Sequence, residues 1–122
     1  MTEAYQLTAT EGLKEIEAGH LTAEAWMVSC LERIADREGE VLAWEYIDRE
    51  GALEKARRVD KLGSGSLAAG VPFGAKDIID THDMPTSYGS QIHQGFQPGR
   101  DAGCIAITRA AGAILVGKTV TT

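Results

Sequence analysis

Two short apolar runs in the second half of the chain constrain its fold more than any other feature. Val71–Lys76 and Ala113–Val116 each have the length and composition of a buried strand. Between them lie a long loop, 81–100, and one predicted helix, Ala102–Ala111, with Asp101 as its expected N-cap. A strand, a crossover helix and a second strand predict a parallel pair with the helix on one face.

The carboxyl ends of these two predicted strands both carry a lysine. Lys76 ends the first strand, and Lys118 follows the second. Parallel strands end at the same edge of a sheet, and ligands of such sheets bind outside that edge. The position alone therefore makes this edge the predicted functional site.

The first half of the chain is predicted to be helical, with one strand. Thr8, Thr22 and Asp48 each precede a run with helical apolar spacing and are the expected N-caps. Val41–Ile47 is rich in β-branched and aromatic residues, which predicts a strand between the second and third helices.

Charge and glycine content separate the two halves. Residues 1–62 contain 14 acidic side chains, 8 basic ones and 4 glycines, whereas residues 63–122 contain 4 acidic, 4 basic and 10 glycines. Gly63–Ser66 is a flexible break between them. We interpret 1–62 as helices with solvated faces and 63–122 as the start of a compact catalytic core.

The composition argues against several classes of partner. A net charge of −6 disfavours direct binding of nucleic acid or an anionic membrane. The first residues lack the pattern of a signal peptide, and no apolar run reaches the roughly 20 residues of a membrane span. Cys30 and Cys104 lack metal-ligand spacing, so we expect buried, reduced thiols in a cytoplasmic protein.

Lys76 is the candidate catalytic residue. It follows an apolar strand, so its stem is expected to be buried, and burial disfavours the charged form of a lysine. A neutral amine can act as a general base at neutral pH. The alternative is a lysine whose ammonium reaches water or pairs with Asp77 or Asp80.

Two other patterns resemble ligand sites only in part. Gly112–Thr119 matches the P-loop expression, but its four middle residues form the predicted strand, and a P-loop needs its strand before the first glycine. His20, His82 and His93 have no metal-ligand spacing. We expect no metal and no cofactor.

The ordered set of motifs in the second half resembles the amidase signature family. That family has a G-V-P strand ending in lysine-aspartate, a P-T-x-x-G-S loop, a proline-x-x-aspartate-alanine helix start, and an alanine-glycine-alanine run into a strand and glycine-lysine-threonine. In this chain the corresponding residues agree in order and spacing over about 50 residues. They are Gly70–Pro72, Lys76–Asp77, Pro85–Ser90, Pro98–Ala102, Ala111–Ala113 and Gly117–Thr119.

The resemblance implies an α/β protein whose N-terminal helices lead into the first parallel strands and crossover helix of an amidase-type mixed sheet. It implies hydrolysis of a small-molecule amide by a lysine, a bridging serine in a cis peptide and a nucleophilic serine. Lys76 matches the lysine, which takes a proton from the nucleophile through the bridging serine. A related alternative is the A subunit of a glutamine-dependent tRNA amidotransferase, and a non-catalytic interaction module is a further one.

The chain also departs from the family pattern. Ile78 and Ile79 stand where asparagine usually follows lysine-aspartate, and Asp83 stands where glycine is common. The serine-rich nucleophile region follows glycine-lysine-threonine in the family, whereas this chain ends at Thr122. We therefore expect residues 1–122 to be the N-terminal part of one amidase-signature domain, inactive alone and prone to self-association.

Overall fold

The computed structural model describes residues 3–63 and 66–121. Within these residues the chain forms four α-helices, three strands and two short 3₁₀ turns. Their bounds are 3₁₀ Ala4–Gln6, α1 Ala9–Glu17, α2 Ala23–Val41, β1 Trp44–Ile47, α3 Arg49–Leu62, β2 Pro72–Lys76, 3₁₀ Gln91–His93, α4 Gly103–Ala110 and β3 Ile114–Thr119. The α/β fold class predicted from the sequence is confirmed.

Side-chain caps start the first three α-helices, as predicted. The Thr8 hydroxyl accepts from the Glu11 N–H, and the Glu11 carboxylate accepts from the Thr8 N–H, which completes a capping box. Thr22 accepts from Ala25, and Asp48 accepts from the N–H three residues on. These contacts are local, so the sequence alone specifies them.

The prediction for Val41–Ile47 is wrong in its first residues, because α2 continues to Val41. Leu42 adopts a left-handed conformation with φ 52°, and this ends the helix. The Glu38 carboxylate then accepts hydrogen bonds from the N–H groups of Ala43 and Trp44, at 3.0 and 2.9 Å. A side chain on the last turn of the helix thus fixes the start of β1.

The three strands form one mixed sheet in the order β1-β3-β2. β2 and β3 run parallel, as predicted, and β1 pairs with β3 in the antiparallel sense. Phe73 pairs with Leu115 and Gly74 with Gly117, so the pairing skips Val116 and forms a β-bulge. Gly117 lies so close to β1 that a Cβ there would be 2.1 Å from the Tyr46 carbonyl oxygen.

Apolar side chains cover both faces of the sheet. On one face α2 and α3 bury a cluster against β3 that includes Met27, Leu31 and Val116. On the other face α4 contributes Ile105, which packs with Leu115 and other residues of β2 and the following loop. The helix of the crossover unit therefore covers one face, as predicted, and the N-terminal helices cover the other.

Several details differ from the sequence predictions. Asp101 does not cap α4: Ala102 is the N-cap, without a side-chain hydrogen bond, and the Asp101 carboxylate binds His82 and Arg109 instead. Neither cysteine is fully buried as predicted: Cys30 is half-buried and Cys104 is exposed. The central residues of the predicted break at Gly63–Ser66 lie outside the described residues. Among the described helices, none has the length and apolar character needed to span a membrane.

Candidate active site at the carboxyl ends of the parallel strands

Lys76 is the last residue of β2, and its side chain is exposed. Its neighbour Ala75 is buried in the cluster under α4, so Lys76 lies on the opposite face of the sheet, level with Thr119 of β3. Within residues 3–63 and 66–121 its ammonium group has no ion-pair partner. The expected burial of Lys76 is therefore wrong for the described residues, and the alternative in which the ammonium reaches water describes its position better.

Asp77 anchors the backbone directly after Lys76. Its N–H donates to the Thr119 carbonyl, and its own carbonyl accepts from the Tyr88 N–H, both at 2.9 Å. Its carboxylate, only 2% exposed, accepts from the N–H of Ser87 at 3.2 Å and from the Ser87 hydroxyl. The P-T-x-x-G-S loop thus folds back onto the end of β2 through both the backbone and the buried side chain of Asp77.

Lys118 is the buried lysine of this edge, with no exposed surface. Its ammonium nitrogen lies 3.5 Å from Asp77 Oδ1 and donates to Thr86 Oγ1 at 2.7 Å. It also donates to the Pro85 carbonyl at 3.3 Å and contacts Thr81 Oγ1 at 3.4 Å. These partners surround the ammonium group, so it is bound as a structural cation.

The β-bulge at Val116 determines where Lys118 points. Leu115 faces the cluster under α4, and strict alternation would send Lys118 to the opposite face. Skipping one residue pairs Lys118 with Ala75, and paired residues share a face. The lysine therefore enters the loop between Thr81 and Thr86 instead of the cluster under α2 and α3.

Burial lowers the pKa of Lys118, because removal from water disfavours the ammonium form. Three carboxylates oppose this effect: Asp77, through its charge and a hydrogen bond, and then Asp80 and Asp83 through their charges. Sequence reasoning assigned burial to Lys76 and missed this role of Lys118. The available signal was a lysine within an apolar strand whose partners would have to come from the threonine-containing loop.

Two small cavities lie against this edge of the sheet. One, of about 280 Å³, is lined by polar residues that include Glu45, Ser87 and Gln94. The other, of about 140 Å³, is lined by Asp77 together with Ser87, Glu45 and neighbouring loop residues. A larger cavity of about 590 Å³ lies between α3 and α4 at the start of β3, at the other end of the strands from Lys76. The two small cavities therefore lie beside Asp77 and Ser87, and Lys76 lines neither of them.

A cluster of His82, Asp83 and Asp101 brings three potential metal ligands within 4.8 Å of one another. The Arg109 guanidinium lies between the two carboxylates and donates two hydrogen bonds to each, at 2.8 to 3.2 Å. Lys55 binds Asp83 as well, at 3.0 Å. Because basic side chains already balance both carboxylates, the donor set fits an ion-pair network and does not fit a cation site.

The backbone conformation of Gly112–Thr119 differs from that of a P-loop. Ile114–Thr119 is strand β3, which is paired with β1 on one side and with β2 on the other. A P-loop binds phosphate with free N–H groups of a loop that follows its strand. Here the glycine-lysine-threonine residues belong to the central strand of the sheet, and the lysine is buried under the Thr81–Thr86 loop.

Comparison with known proteins agrees with the resemblance. Residues 26–122 match the family described as Amidase. The chain is 38% identical to the A subunit of glutamyl-tRNA(Gln) amidotransferase from Chloroflexus aggregans and 40% identical to the one from Streptomyces coelicolor, with 97% and 98% of this chain covered. Native peptide amidase from Stenotrophomonas maltophilia superposes with a TM-score of 0.86 at 30% identity, over 94% of this chain. The chain spans 25% of the length of each of these three proteins. It belongs to the amidase family.

Proposed function

We propose that this chain is the base-carrying part of an enzyme that hydrolyses carboxamides to a carboxylic acid and ammonia or an amine. Lys76 is the general base, and the two serines of the mechanism come from residues outside positions 1–122. The observation that supports this role most strongly is that two consecutive residues at the carboxyl end of β2 differ in exposure: Lys76 is exposed and Asp77 is buried. The first is free to meet a reacting group, and the second holds the backbone that carries it.

The proposed chemistry balances without a cofactor. The neutral Lys76 amine accepts the proton of the bridging serine, which accepts the proton of the nucleophilic serine. The nucleophile's oxygen attacks the amide carbonyl, and the C–N bond breaks as the same relay returns the proton to the leaving nitrogen. Water then attacks the acyl-enzyme ester, which releases the carboxylic acid and regenerates the serine.

This step requires the neutral form of the Lys76 amine, and removal of a lysine from water favours that form. In the described residues its side chain is exposed, so the covering surface would come from the rest of the protein. We therefore expect the isolated chain to be inactive and a longer one to be active. The longest polypeptide encoded by the reading frame that contains these residues is called the long form below.

The test is hydrolysis of a panel of small aliphatic and aromatic amides by the 122-residue chain and by the long form. We expect ammonia release by the long form only. Lys61→Ala is the matched control for Lys76→Ala, because Lys61 is an exposed lysine near the end of α3. Activity of the 122-residue chain alone would contradict the proposal, since a nucleophile would then lie among residues assigned no such role.

A second candidate is the A subunit of a glutamine-dependent tRNA amidotransferase. The names of the two relatives at 38% and 40% identity favour it. In that case the long form would release ammonia from glutamine in preference to other amides, and a partner protein would increase the rate. The net charge of −6 disfavours direct contact of residues 1–122 with nucleic acid. An unassisted long form with broad amide activity and no preference for glutamine would exclude this candidate.

We also propose that the 122-residue chain alone self-associates. In the described part of the chain β1 and β2 are the edge strands of the sheet, and each has one side without a strand partner. Ile78, next to the end of β2, is 50% exposed, and Ile107 on α4 is 74% exposed. Unpaired edges beside apolar surface favour pairing with a second copy. Sedimentation should detect oligomers, and a monomer with a cooperative melt would contradict the proposal.

The cytoplasm is the compartment that we propose. The thiols of Cys30 and Cys104 are free, and cytosolic proteins keep such thiols reduced. Cell fractionation of a tagged long form should recover it in the cytosolic fraction, and recovery with membranes or medium would overturn this placement.

A further inference from the structure

We propose that Lys118 is a positioning residue for the reaction, because its buried pair with Asp77 holds the end of β2 in place and balances the negative charge of the residue that follows Lys76. This inference rests on the proposed function of Lys76. Lys118 itself stays on the opposite face of the sheet from Lys76 and touches no reacting atom. Its influence passes through the neighbouring residue in the chain.

Asp77 is held in place through both its backbone and its side chain. Both of its backbone groups are bound, to Thr119 and Tyr88, and its carboxylate accepts two hydrogen bonds from Ser87. Lys118 holds the other carboxylate oxygen at 3.5 Å and simultaneously binds the loop at Pro85 and Thr86. The ion pair therefore adds to the hydrogen bonds that join the loop to the strand end, and Lys76 is the neighbouring residue on the strand.

The aspartates near the end of β2 differ in the partners that offset their negative charge. Asp83 is bound by Arg109 and Lys55, and Asp80 accepts a hydrogen bond from the Tyr88 hydroxyl. Asp77, in contrast, has Lys118 as its one cationic partner among the described residues. Loss of the Lys118 charge would leave an uncompensated carboxylate on the residue that follows Lys76 in the chain.

An uncompensated negative charge favours the protonated form of a nearby amine. The base form of Lys76 would then appear only at higher pH, so the ascending limb of the pH–rate profile would shift upward. Glu45 lines the same small cavity as Asp77. It is present in all variants, so it does not account for differences between them. Removal of the Asp77 charge alone should have the opposite effect and shift the limb downward.

Three variants of the long form separate this role from a purely structural one. In Lys118→Met we expect the ascending limb of kcat/KM to move to higher pH and kcat to fall roughly tenfold to a hundredfold from misplacement of the base, with KM nearly unchanged. In Asp77→Asn the limb should move to lower pH. In the double variant it should return close to the wild-type position, because neither charge remains.

The double variant also guards against failure of Lys118→Met to fold, since removal of both members of a buried pair is tolerated better than removal of one. Ser87→Ala, which deletes one hydrogen bond to Asp77 and leaves both charges, should lower kcat without moving the limb. If the long form is active but all charge variants have the same ascending limb of the pH–rate profile as the wild type, this inference is wrong and the proposed function of Lys76 is unaffected. Loss of all activity in Lys118→Met and in the folded double variant would also overturn it, because a residue that only positions the base leaves a measurable residual rate. A long form inactive on every amide would overturn the proposed function, and this inference with it.

Discussion

The two faces of the sheet are built in different ways. Under α2 and α3 the contacts are apolar and include small side chains such as Ala52 and Ala56, which let α3 approach closely. Under α4 the apolar cluster is smaller, and a buried lysine, a buried aspartate and several hydroxyl groups lie beside it. The first face is held by exclusion of water, and the second depends on matched charges and hydrogen bonds between residues far apart in sequence.

From this contrast we infer that the two faces have different roles. The apolar face provides a stable support for β3 that is insensitive to pH. The polar face sets the position of the strand ends and loops that carry the candidate site, and it does so with groups whose protonation and pairing matter. Four substitutions in the long form, followed by urea unfolding, test this contrast in order of expected effect.

Lys118→Met should have the largest effect, about 3–5 kcal/mol of unfolding free energy, because it leaves the Asp77 carboxylate buried without its cation. Adding Asp77→Asn should recover much of the loss. Lys61→Met, at an exposed site on α3, is the control and should change little. A loss below about 1 kcal/mol in the single variant would show that the polar face is not held by this pair.

Leu31→Ala removes a side chain that is 2% exposed from the cluster under α2 and α3. We expect a loss of about 3 kcal/mol that is the same at pH 4 and pH 8, because no titrating group is involved. Leu62→Ala, at a leucine that is 78% exposed, provides the matched control. A strong pH dependence of the Leu31 effect would contradict the separation of the two faces.

Arg109→Met should lower the unfolding free energy by about 2 kcal/mol at neutral pH, because two partly buried carboxylates lose their shared partner. Burial opposes ionisation of Asp83 and Asp101, but the pKa of each still lies below the ordinary 3.8. For Asp83 the lowering comes from hydrogen bonds and charge attraction by Arg109 and Lys55. For Asp101 it comes from hydrogen bonds with His82 and from the charges of Arg109 and His82. Their contribution is thus fully present above pH 3.8 and is lost as the pH falls through the lowered folded values.

The difference between wild type and Arg109→Met should accordingly shrink below about pH 4. Arg57→Met, which removes an exposed ion pair with Glu24, should cost far less and serves as the control. A difference that stays constant down to pH 2 would mean that packing of the arginine stem, and not its charge, accounts for the effect.

Thr22→Ala should have the smallest effect, about 1 kcal/mol, because the hydroxyl caps a single N–H at the start of α2. The Asp60 carboxylate from α3 accepts from the next residues' N–H groups, on Ala23 and Glu24, and stays in place. Thr10→Ala, at an exposed threonine within α1, is the comparison. If Thr22→Ala equals this control, Asp60 alone is a sufficient cap.

The predictability of the two faces from sequence follows the same division. Thr8, Thr22 and Asp48 are predictable as caps because each bonds to a backbone group three residues away. The parallel β2–β3 pair is predictable because the order strand, helix, strand allows few arrangements. Asp101 has the sequence position of a local cap, but it binds His82 and Arg109, and no local pattern predicts such a choice.

The two lysines show most clearly where sequence reasoning stops. Lys76 ends β2 as predicted, whereas Lys118 lies within the last residues of β3 and not after the strand, and the buried lysine is Lys118 and not Lys76. The single-residue bulge at Val116 changes the face on which Lys118 lies, and a slip of this kind leaves no mark on the apolar pattern. Asp83, where the family commonly has glycine, likewise has partners on α3 and α4 that only the fold brings together.

The most direct test of the central claim is chemical rescue of Lys76→Ala in the long form. We expect this variant to lose at least about a hundredfold in amide hydrolysis, as for the loss of a general base. Small primary amines should restore part of the rate, increasingly as the pH rises and more free amine is present, and should not rescue Lys118→Met. A Lys76→Ala variant that keeps the wild-type rate, or amine rescue at position 118 instead, would contradict the assignment of Lys76 as the base.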